Sequence, residues 1–421
     1  MILKSTVAFA ALIALVSAWT PIDPGVRISG HVVEAINRVP IEDAIVTIGD
    51  RTSRTNAQGF FVVDSIESDN VLVRAPGYAR ARIALHGLRQ PEPEIALQVF
   101  HPKALYLSVY GIGDKRLRTA ALTLLDTTEL NALVIDMKGD RGIVPYPSAI
   151  ELASQVGAQK VITISDLSAL ITSLRERGVY TIARIVVFKD NLLARGRPNL
   201  ALHRLDGSIF QDREGLAWTN PHNKDVWSYN IGIAVEAAKA GFDEIQFDYV
   251  RLPDATGLAY DVPWTEGNRE AAIDGFLSQA RTTLTPFNVF LAADIFGYVC
   301  WNPDDTKIGQ QLEHLAGIVD YLSPMLYPSS FQFGIPGYRN PVQQPYQVVH
   351  LSLEQAGTRT NLPAIRFRPW LQAFRDYAFD RRSFGASEVR IQVNAAEDFG
   401  ANGWMLWNPH NEYPAAAFKA R

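Results

Sequence analysis

The sequence predicts an α/β protein in which a (β/α)8 TIM barrel follows a small antiparallel β-sandwich. Three observations lead to this fold class. The chain has 421 residues, enough for a large barrel and an accessory domain. Residues 26–98 contain short alternating apolar runs separated by Asn, Asp, Gly and Pro, as in antiparallel strands. From residue 103 to residue 414 an apolar strand followed by an amphipathic helix recurs eight times, which is typical of a TIM barrel.

The composition is that of a folded, soluble protein. Apolar residues make up 47% and charged residues 20% of the chain, which argues against disorder and against a membrane bundle. The 40 Lys and Arg residues are balanced by 44 Asp and Glu residues, for a net charge of −4, so no nucleic-acid partner is predicted. The single cysteine, Cys300, permits neither an intramolecular disulfide nor a thiolate-rich zinc site.

Residues 1–18 are predicted to be a signal peptide. Lys4 precedes an apolar run at 7–16, and Val16 and Ala18 occupy the two positions that a signal peptidase tests. An uncleaved anchor is the alternative, although the run is shorter than the roughly 18 residues that span a bilayer. We therefore expect a secreted or periplasmic bacterial protein with no membrane span after cleavage.

Four short motifs mark the predicted sandwich. They are SGHVV at 29–33, PIEDA at 40–44, TNAQGFF at 55–61 and APGY at 75–78. The Asn-x-x-Gly and Pro-Gly steps supply tight turns between strands. In this order the motifs resemble the carboxypeptidase regulatory-like domain. The resemblance implies a spacer or docking module for residues 26–98, and glycan binding is the alternative.

The predicted barrel occupies residues 103–414. Its apolar strand candidates are 104–110, 132–138, 181–188, 244–251, 289–296, 321–327, 364–370 and 404–408. Helical candidates, with apolar residues at three- and four-residue spacing, include 166–177, 224–240, 268–284 and 310–318. In such a barrel the active site forms at the carboxyl ends of the strands. Polar residues that point inward at those ends are therefore the functional candidates.

Strand alternation sorts the side chains of the fourth and fifth strands. The large apolar residues that should face the helices are Ile245, Phe247, Tyr249, Leu291 and Ile295. The alternate positions then face the barrel axis, which brings Asp248 and Asp294 inward on neighbouring strands. Neighbouring strands are about 4.8 Å apart, so we expect these carboxyl groups about 5 to 9 Å apart, a range that covers both glycosidase geometries. Asp248 and Asp294 are predicted to be a catalytic pair with split pKa values; alternatively, they pair with inward arginines and only stabilise the barrel.

Other residues near the strand ends are predicted to bind substrate. They are Tyr110, Asp136, Lys138, Arg251, Trp301, Tyr327, Arg368, Trp407 and Asn408. Aromatic faces suit the apolar face of a sugar ring. Alternation turns Asp136, Lys138, Arg366 and Arg368 inward, and Arg184 is expected to neutralise buried carboxylates. No metal and no cofactor are predicted, since the chain lacks His-x-His and His-Glu-x-x-His spacings.

Several barrel segments together resemble a known family. They lie at 129–138, 241–253, 293–297, 323–328 and 403–408, with Gly142 after the first. In these segments the chain is similar to the putative glycosyl hydrolase domain family, bacterial barrels distantly similar to the α-amylase type. The resemblance implies a barrel that acts on glycans, with Asp248 at the position of the amylase-type nucleophile. An amylase-type acid would be Glu, where this sequence has Asp294.

Two hypotheses of function follow. In the first, the protein is a glycoside hydrolase of a poly- or oligosaccharide, in which Asp248 attacks the anomeric carbon and Asp294 protonates the leaving oxygen. An inverting version uses the same two residues. In the second, the protein is a catalytically inactive carbohydrate-binding barrel of the cell envelope. A carboxylate locked by an arginine would favour this second hypothesis.

Overall fold

A computed structural model of the chain describes residues 27–64, 68, 70–84 and 93–421. The predicted signal peptide, residues 1–18, lies outside this part of the chain. Among the described helices, none combines the length and the apolar character that a membrane crossing requires.

Two small sheets form the N-terminal domain. Its described strands are β1 (Arg27–Glu34), β2 (Ile45–Ile48), β3 (Arg51–Arg54), β4 (Phe60–Asp64), β5 (Asn70–Arg74), β6 (Ala81–Ala84) and β7 (Glu94–Leu97). One sheet has the order β4-β1-β7 and the other the order β3-β2-β5-β6. Val32, Val46 and Val71 belong to the apolar core that the two sheets share. β1 and β7 run parallel, unlike the predicted antiparallel arrangement, because β7 reaches β1 through a crossover rather than a hairpin.

Eight parallel strands of the second domain close into a barrel, which confirms the predicted fold. The strands after β7 are β8 (Lys103–Leu107), β9 (Ala132–Lys138), β10 (Tyr180–Val186), β11 (His203–Arg204), β12 (Glu244–Asp248), β13 (Leu258–Ala259), β14 (Phe290–Phe296), β15 (Tyr321–Met325), β16 (Trp370–Gln372) and β17 (Trp404–Trp407). The barrel order is β10-β12-β14-β15-β16-β17-β8-β9. The short strands β11 and β13 pair with each other above it.

Helices connect the barrel strands and cover their outer faces. They are α1 (Lys115–Thr127), α2 (Glu151–Gln155), α3 (Leu167–Glu176), α4 (Asn191–Gly196), α5 (Lys224–Ala240), α6 (Glu266–Leu284), α7 (Leu312–Ile318), α8 (Pro345–Thr360) and α9 (Ala386–Phe399). The side chains of Asp114, Asp166 and Asn223 cap the first turns of α1, α3 and α5. These caps satisfy amide groups that would otherwise lack a partner, so the helix starts are fixed by the local sequence.

The seventh barrel strand begins later than the predicted 364–370. Ala364–Arg366 forms a single 3-10 turn, and β16 starts only at Trp370. The guanidinium of Arg366 donates to three backbone carbonyls near the end of α7, those of Ala316, Val319 and Asp320. These bonds satisfy carbonyls that a helix end leaves without partners. The predicted inward orientation of Arg366 is therefore wrong, because its side chain donates hydrogen bonds to carbonyls at the end of α7.

The sandwich packs against the amino-terminal ends of the barrel strands. The backbone N–H of Gly77 donates to the hydroxyl of Tyr321, the first residue of β15, at 3.0 Å. Arg80 Nη2 lies 2.5 Å from Oδ1 of Asp243, which immediately precedes β12. The sandwich therefore covers the end of the barrel opposite to the carboxyl ends of the strands.

Side chains pack on both faces of the barrel sheet, against the helices outside and against one another inside. Ile245, Phe247 and Ile295 pack in the layer between strands and helices, as alternation predicts. Inside the barrel, Gln246 Nε2 donates to Ser323 Oγ at 3.1 Å. The barrel is a packed core rather than a channel, and open space is found at the carboxyl ends of its strands.

Candidate active site

A cleft of about 300 Å³ opens at the carboxyl ends of the barrel strands. It is lined by Tyr106, Asp136, Asp140, Arg184, Asp248, Tyr249, Met325, Tyr327, Trp370, Trp407 and Pro409. Five of these residues are aromatic, and three carboxylates and one arginine lie among them. Concave sites with this mixture of apolar faces and a few fixed polar groups bind small organic ligands.

Arg184 joins two carboxylates at the floor of the cleft. Its Nη1 donates to Asp136 Oδ1 at 2.6 Å, and its Nε donates to Asp248 Oδ2 at 2.9 Å. Its guanidinium also stacks over the rings of Trp407, at 4.8 Å, and Tyr106, at 5.5 Å. Burial opposes the charge, but the two carboxylates hold the pKa of Arg184 well above its ordinary value. Arg184 therefore fixes Asp248 as half of an ion pair.

Asp248 is held through both oxygens. While Oδ2 accepts from Arg184, Oδ1 accepts from the backbone N–H of Tyr249 at 2.5 Å. Tyr249 adopts a left-handed backbone with φ of 47°, a conformation that costs about 1–3 kcal/mol outside glycine. The prediction that Tyr249 faces the helices is wrong, because this turn in the backbone ends the strand alternation and puts the ring on the cleft wall.

Asp294 is a buried carboxyl group beside Asp248. Its side chain is 1% exposed, and Oδ1 accepts from Trp370 Nε1 at 2.7 Å. Oδ2 has no hydrogen-bond partner among the described residues. Burial, followed by the charge of Asp248, raises the pKa of Asp294 well above its ordinary value. Asp294 therefore holds its proton more tightly than an ordinary carboxyl group does, whereas its neighbour Asp248 is ion-paired with Arg184.

Tyr106 and Tyr327 extend the polar network of the cleft. The hydroxyl of Tyr106 donates to Asp136 Oδ2 at 2.7 Å, and its ring stacks on Trp407 with centroids 4.1 Å apart. Burial raises the pKa of Asp136. Burial and then the charges of Asp294 and Asp248 raise the pKa of Tyr327 well above its ordinary value. Tyr327 thus lies close to both candidate carboxyl groups as a hydroxyl that keeps its proton.

The structure brings four of the predicted site residues to the cleft wall: Asp136, Asp248, Tyr327 and Trp407. Asp294 lies next to them without being one of the lining residues. Tyr106 was missed, although its place between Ala104 and Ser108 on the first strand marks it as inward by alternation. Asp140, Met325 and Pro409 were also missed, and they lie on strand ends or loops where alternation gives no signal.

Lys138 does not face the cleft. The pairing of β9 with β10 shifts so that Arg184 lies opposite Asp136 but Ile185 lies opposite Lys138. This bulge breaks the alternation and turns Lys138 to the outer face of the strand. Its Nζ lies 2.6 Å from Asp190 Oδ2 in a fully buried ion pair. The predicted inward orientation of Lys138 is wrong for this reason.

Arg368 lies inside the barrel but at its base. It forms a buried ion pair with Glu244, the first residue of β12, and its Nε donates to the carbonyl of Asn402 at 2.9 Å. Its guanidinium stacks on Tyr321 at 4.0 Å. The structure does not bring Arg368, a predicted substrate-binding residue, to the cleft, because the late start of the seventh strand leaves it buried below.

The four remaining predicted residues lie outside the cleft wall. Trp301 is on the outer surface, where its Nε1 donates to Ser352 Oγ of α8 at 2.9 Å. Tyr110 is 54% exposed in the turn after β8. Asn408 Nδ2 donates to two loop carbonyls, at 2.7 Å each. Arg251 contacts the cleft only through Tyr249, since its guanidinium lies 5.2 Å from that ring. The structure therefore does not bring Trp301, Tyr110 or Asn408 to the cleft wall, and their roles in substrate binding stay predictions.

The described residues contain no group of three or more His, Cys, Asp or Glu side chains that could hold a metal ion. The carboxylates of the cleft are instead neutralised by Arg184. The polar side chains that line the cleft are carboxyl groups, a guanidinium and tyrosine hydroxyls.

The closed barrel has an acidic and aromatic cleft at the carboxyl ends of its strands, where TIM-barrel enzymes have their active sites. The chain belongs to the family described as putative glycosyl hydrolase domain, which matches residues 104–413. No curated protein sequence matches the chain.

Several solved structures are similar to parts of this chain. A hypothetical protein from Ruminiclostridium thermocellum is 36% identical over 45% of this chain and 96% of its own length, with a TM-score of 0.41. The glycoside hydrolase domain of PgaB (BpsB) from Bordetella bronchiseptica is 16% identical over 76% of this chain and 99% of its own, with a TM-score of 0.55. A class V chitinase from Pseudomonas fluorescens is 14% identical over 75% and 97% of the two chains, with a TM-score of 0.43.

Proposed function

We propose that the protein is a glycoside hydrolase of a poly- or oligosaccharide, with Asp248 and Asp294 as its catalytic pair. One observation carries the proposal: two neighbouring carboxyl groups have different surroundings, since one is ion-paired with an arginine and the other is buried and hydrogen-bonded to an indole. Asp248 is ion-paired with Arg184, and burial and the charge of Asp248 raise the pKa of Asp294 well above its ordinary value. Pairs of carboxyl groups whose surroundings separate their pKa values in this way provide the acid and the nucleophile or base of glycoside hydrolysis.

In the proposed reaction Asp294 gives its proton to the glycosidic oxygen as the bond from that oxygen to the anomeric carbon breaks. Asp248 forms a bond to the anomeric carbon, and a water deprotonated by Asp294 then releases the sugar. In the inverting version, Asp248 deprotonates a water that attacks directly. The stacked rings of Tyr106 and Trp407 offer an apolar face to a sugar ring.

Purified protein is tested against a broad panel of bacterial and plant polysaccharides by release of reducing sugar. Hydrolysis by the wild type, lost in Asp248→Asn and Asp294→Asn, supports the proposal. No release from any glycan, together with an unchanged sugar affinity in Asp248→Asn, contradicts it. Folding of both variants is checked by thermal unfolding, because each substitution changes a buried hydrogen-bond network.

A second candidate, a carbohydrate-binding barrel without catalysis, is favoured by the ion pair between Arg184 and Asp248. Nε and Nη2 of Arg184 both donate to Oδ2 of Asp248, and this pairing lowers the nucleophilicity of the carboxylate. Glycan binding by a wild type that releases no reducing sugar supports this candidate.

We further propose that the protein is exported by its first 18 residues and acts in the bacterial periplasm or outside the cell. Support comes from the apolar run at 7–16 and the small residues that end it. Detection of a mature chain that lacks residues 1–18 in the periplasm or medium tests export.

A further inference from the structure

Tyr249 has an unusual backbone conformation at the point where the strand carrying Asp248 ends. Its φ of 47° lies in the left-handed region, which is sterically costly for an aromatic residue. A residue stays in this region only where surrounding contacts enforce it. Here the conformation accompanies a hydrogen bond of 2.5 Å from the Tyr249 N–H to Asp248 Oδ1. The strained residue is therefore also the backbone donor to the carboxylate.

Three side chains hold the ring of Tyr249 in place. Trp218 meets it edge-on, with ring centroids 5.6 Å apart. The Nζ of Lys189 lies 4.9 Å from the ring centroid, and the guanidinium of Arg251 lies 5.2 Å from it. A cation near an aromatic face contributes more when it is desolvated, and the side chain of Lys189 is only 2% exposed. These contacts supply the restraint that the backbone conformation requires.

Two of these three side chains converge on one carboxylate of the loop between β10 and α5. Asp212 Oδ2 accepts from Trp218 Nε1 at 3.0 Å and lies 3.1 Å from Lys189 Nζ. Asp212 Oδ1 accepts from the backbone N–H groups of Glu214 and Leu216, at 2.9 and 3.1 Å. One oxygen of Asp212 thus shapes its own turn, while the other anchors the side chains that contact Tyr249.

We infer that Tyr249 is a positioning residue for Asp248 and that Asp212 maintains its conformation from the loop. The inference rests on the proposed catalytic role of Asp248. Its chain of contacts is continuous: Asp212 holds Lys189 and Trp218, these hold the Tyr249 ring, and the Tyr249 amide holds Asp248. The loop after β10 accordingly controls the geometry of a carboxylate on the next barrel strand.

Asp212→Asn separates this role from direct substrate contact, since Asp212 does not line the cleft. Asparagine keeps a carbonyl oxygen for the turn but cannot accept from Lys189 and Trp218 through its NH2 group. With a glycan that the wild type hydrolyses, we expect kcat to fall about tenfold, as for a misplaced reacting group. We expect KM to change by less than about twofold, because substrate contacts remain.

Asp206→Asn is the matched control. Asp206 lies on the same loop, and its side chain accepts from Ser208 at 2.6 and 2.9 Å. The variant removes the same charge without touching Lys189 or Trp218, so its kcat should equal that of the wild type. Equal kcat values for Asp212→Asn and wild type would overturn the inference.

A second measurement is independent of catalysis. In protein labelled with 15N-tyrosine, a hydrogen bond to a carboxylate moves the Tyr249 amide proton far downfield, and Tyr249→Phe identifies its signal. We expect Asp212→Asn to shift this signal upfield and Asp206→Asn to leave it unchanged. An unchanged signal in Asp212→Asn overturns the inference even if no glycan is hydrolysed. If neither the wild type nor any variant hydrolyses a glycan, that result counts against the proposed function, whether or not the Tyr249 amide signal shifts.

Discussion

The indole of Trp370 donates to Oδ1 of Asp294 at 2.7 Å, from a barrel strand two places away. This bond fixes the orientation of a carboxyl group whose other oxygen has no partner among the described residues. It also favours the ionised form of Asp294, against the effects of burial and of the charge on Asp248. Trp370 therefore tunes the acid as well as placing it.

Trp370→Phe should move the alkaline limit of hydrolysis to higher pH. The substitution removes a donor that stabilises the ionised carboxylate, so the pKa of Asp294 rises further and the acid stays protonated longer. The measurement is the pH profile of kcat/KM for a glycan that the wild type hydrolyses. A limit that moves to lower pH would show that Asp294 is not the group that sets it.

Arg184→Met should strongly destabilise the protein. The substitution leaves Asp136 and Asp248 buried without their cation, and removal of one partner from a buried ion pair costs about 3–5 kcal/mol. The measurement is the free energy of unfolding in urea. Arg177→Met is the control, since Arg177 pairs with Asp126 on the exposed surface. Adding Asp136→Asn and Asp248→Asn to Arg184→Met should restore part of the loss; no recovery would argue against unpaired charge as the cause.

Trp407→Ala should weaken substrate binding at the cleft wall. Trp407 stacks on Tyr106 and over Arg184, and an aromatic face is worth about 0.5–1.5 kcal/mol beyond its buried area. We expect KM to rise about tenfold. Trp301→Ala is the matched control, because Trp301 contacts α8 on the outer surface. If both variants raise KM equally, the cleft is not the binding site.

The ionised side chain of Glu129 should stabilise the folded protein at neutral pH, and this stabilisation should be lost in acid. Burial alone would raise the pKa of Glu129, but hydrogen bonds from Arg390 and Lys103 lower it to about 2. A lowered carboxyl pKa gives stability that is complete above the ordinary value of 4.5 and is lost as the pH falls toward 2. Thermal unfolding of wild type and Glu129→Gln should therefore differ at pH 7 and converge between pH 4.5 and 2.

Glu176→Gln, at an exposed position of α3, is the control for Glu129→Gln. Its Tm should follow that of the wild type across the same range. A constant difference between wild type and Glu129→Gln down to pH 2 would contradict the predicted linkage.

Strand alternation predicts the site only where the strands are regular. It turns Asp136 and Asp248 inward, and both line the cleft. It fails at Lys138, because a bulge between β9 and β10 has no signal in the sequence. It fails again at Tyr249, where the strand ends in a left-handed residue that is not glycine. Both errors come from backbone geometry that tertiary contacts impose.

The apolar pattern predicts the barrel more reliably than it predicts which aromatic residues reach the cleft. Eight repeats of an apolar strand followed by a helix are typical of a closed barrel, whichever residues form the connecting loops. Trp301 comes soon after the end of β14, as the cleft residue Tyr327 does after β15, yet a 3-10 turn carries Trp301 to α8. A residue in a connecting loop is positioned by the path of that loop. The loop sequence has no regular apolar pattern from which this path could be predicted.

Two contacts between the sandwich and the base of the barrel join residues that are distant in the sequence. Gly77 and Tyr321 are separated by 244 positions, and Arg80 and Asp243 by 163 positions. A barrel produced without the sandwich would expose Tyr321 to solvent and leave Asp243 without Arg80. The hydrogen bond between Gly77 and Tyr321 contributes about 0.5–1.5 kcal/mol, and the charged one between Arg80 and Asp243 about 1.5–3 kcal/mol. The two domains are therefore expected to unfold in one cooperative transition, and a proteolytic cut near residue 100 should release no separately stable barrel.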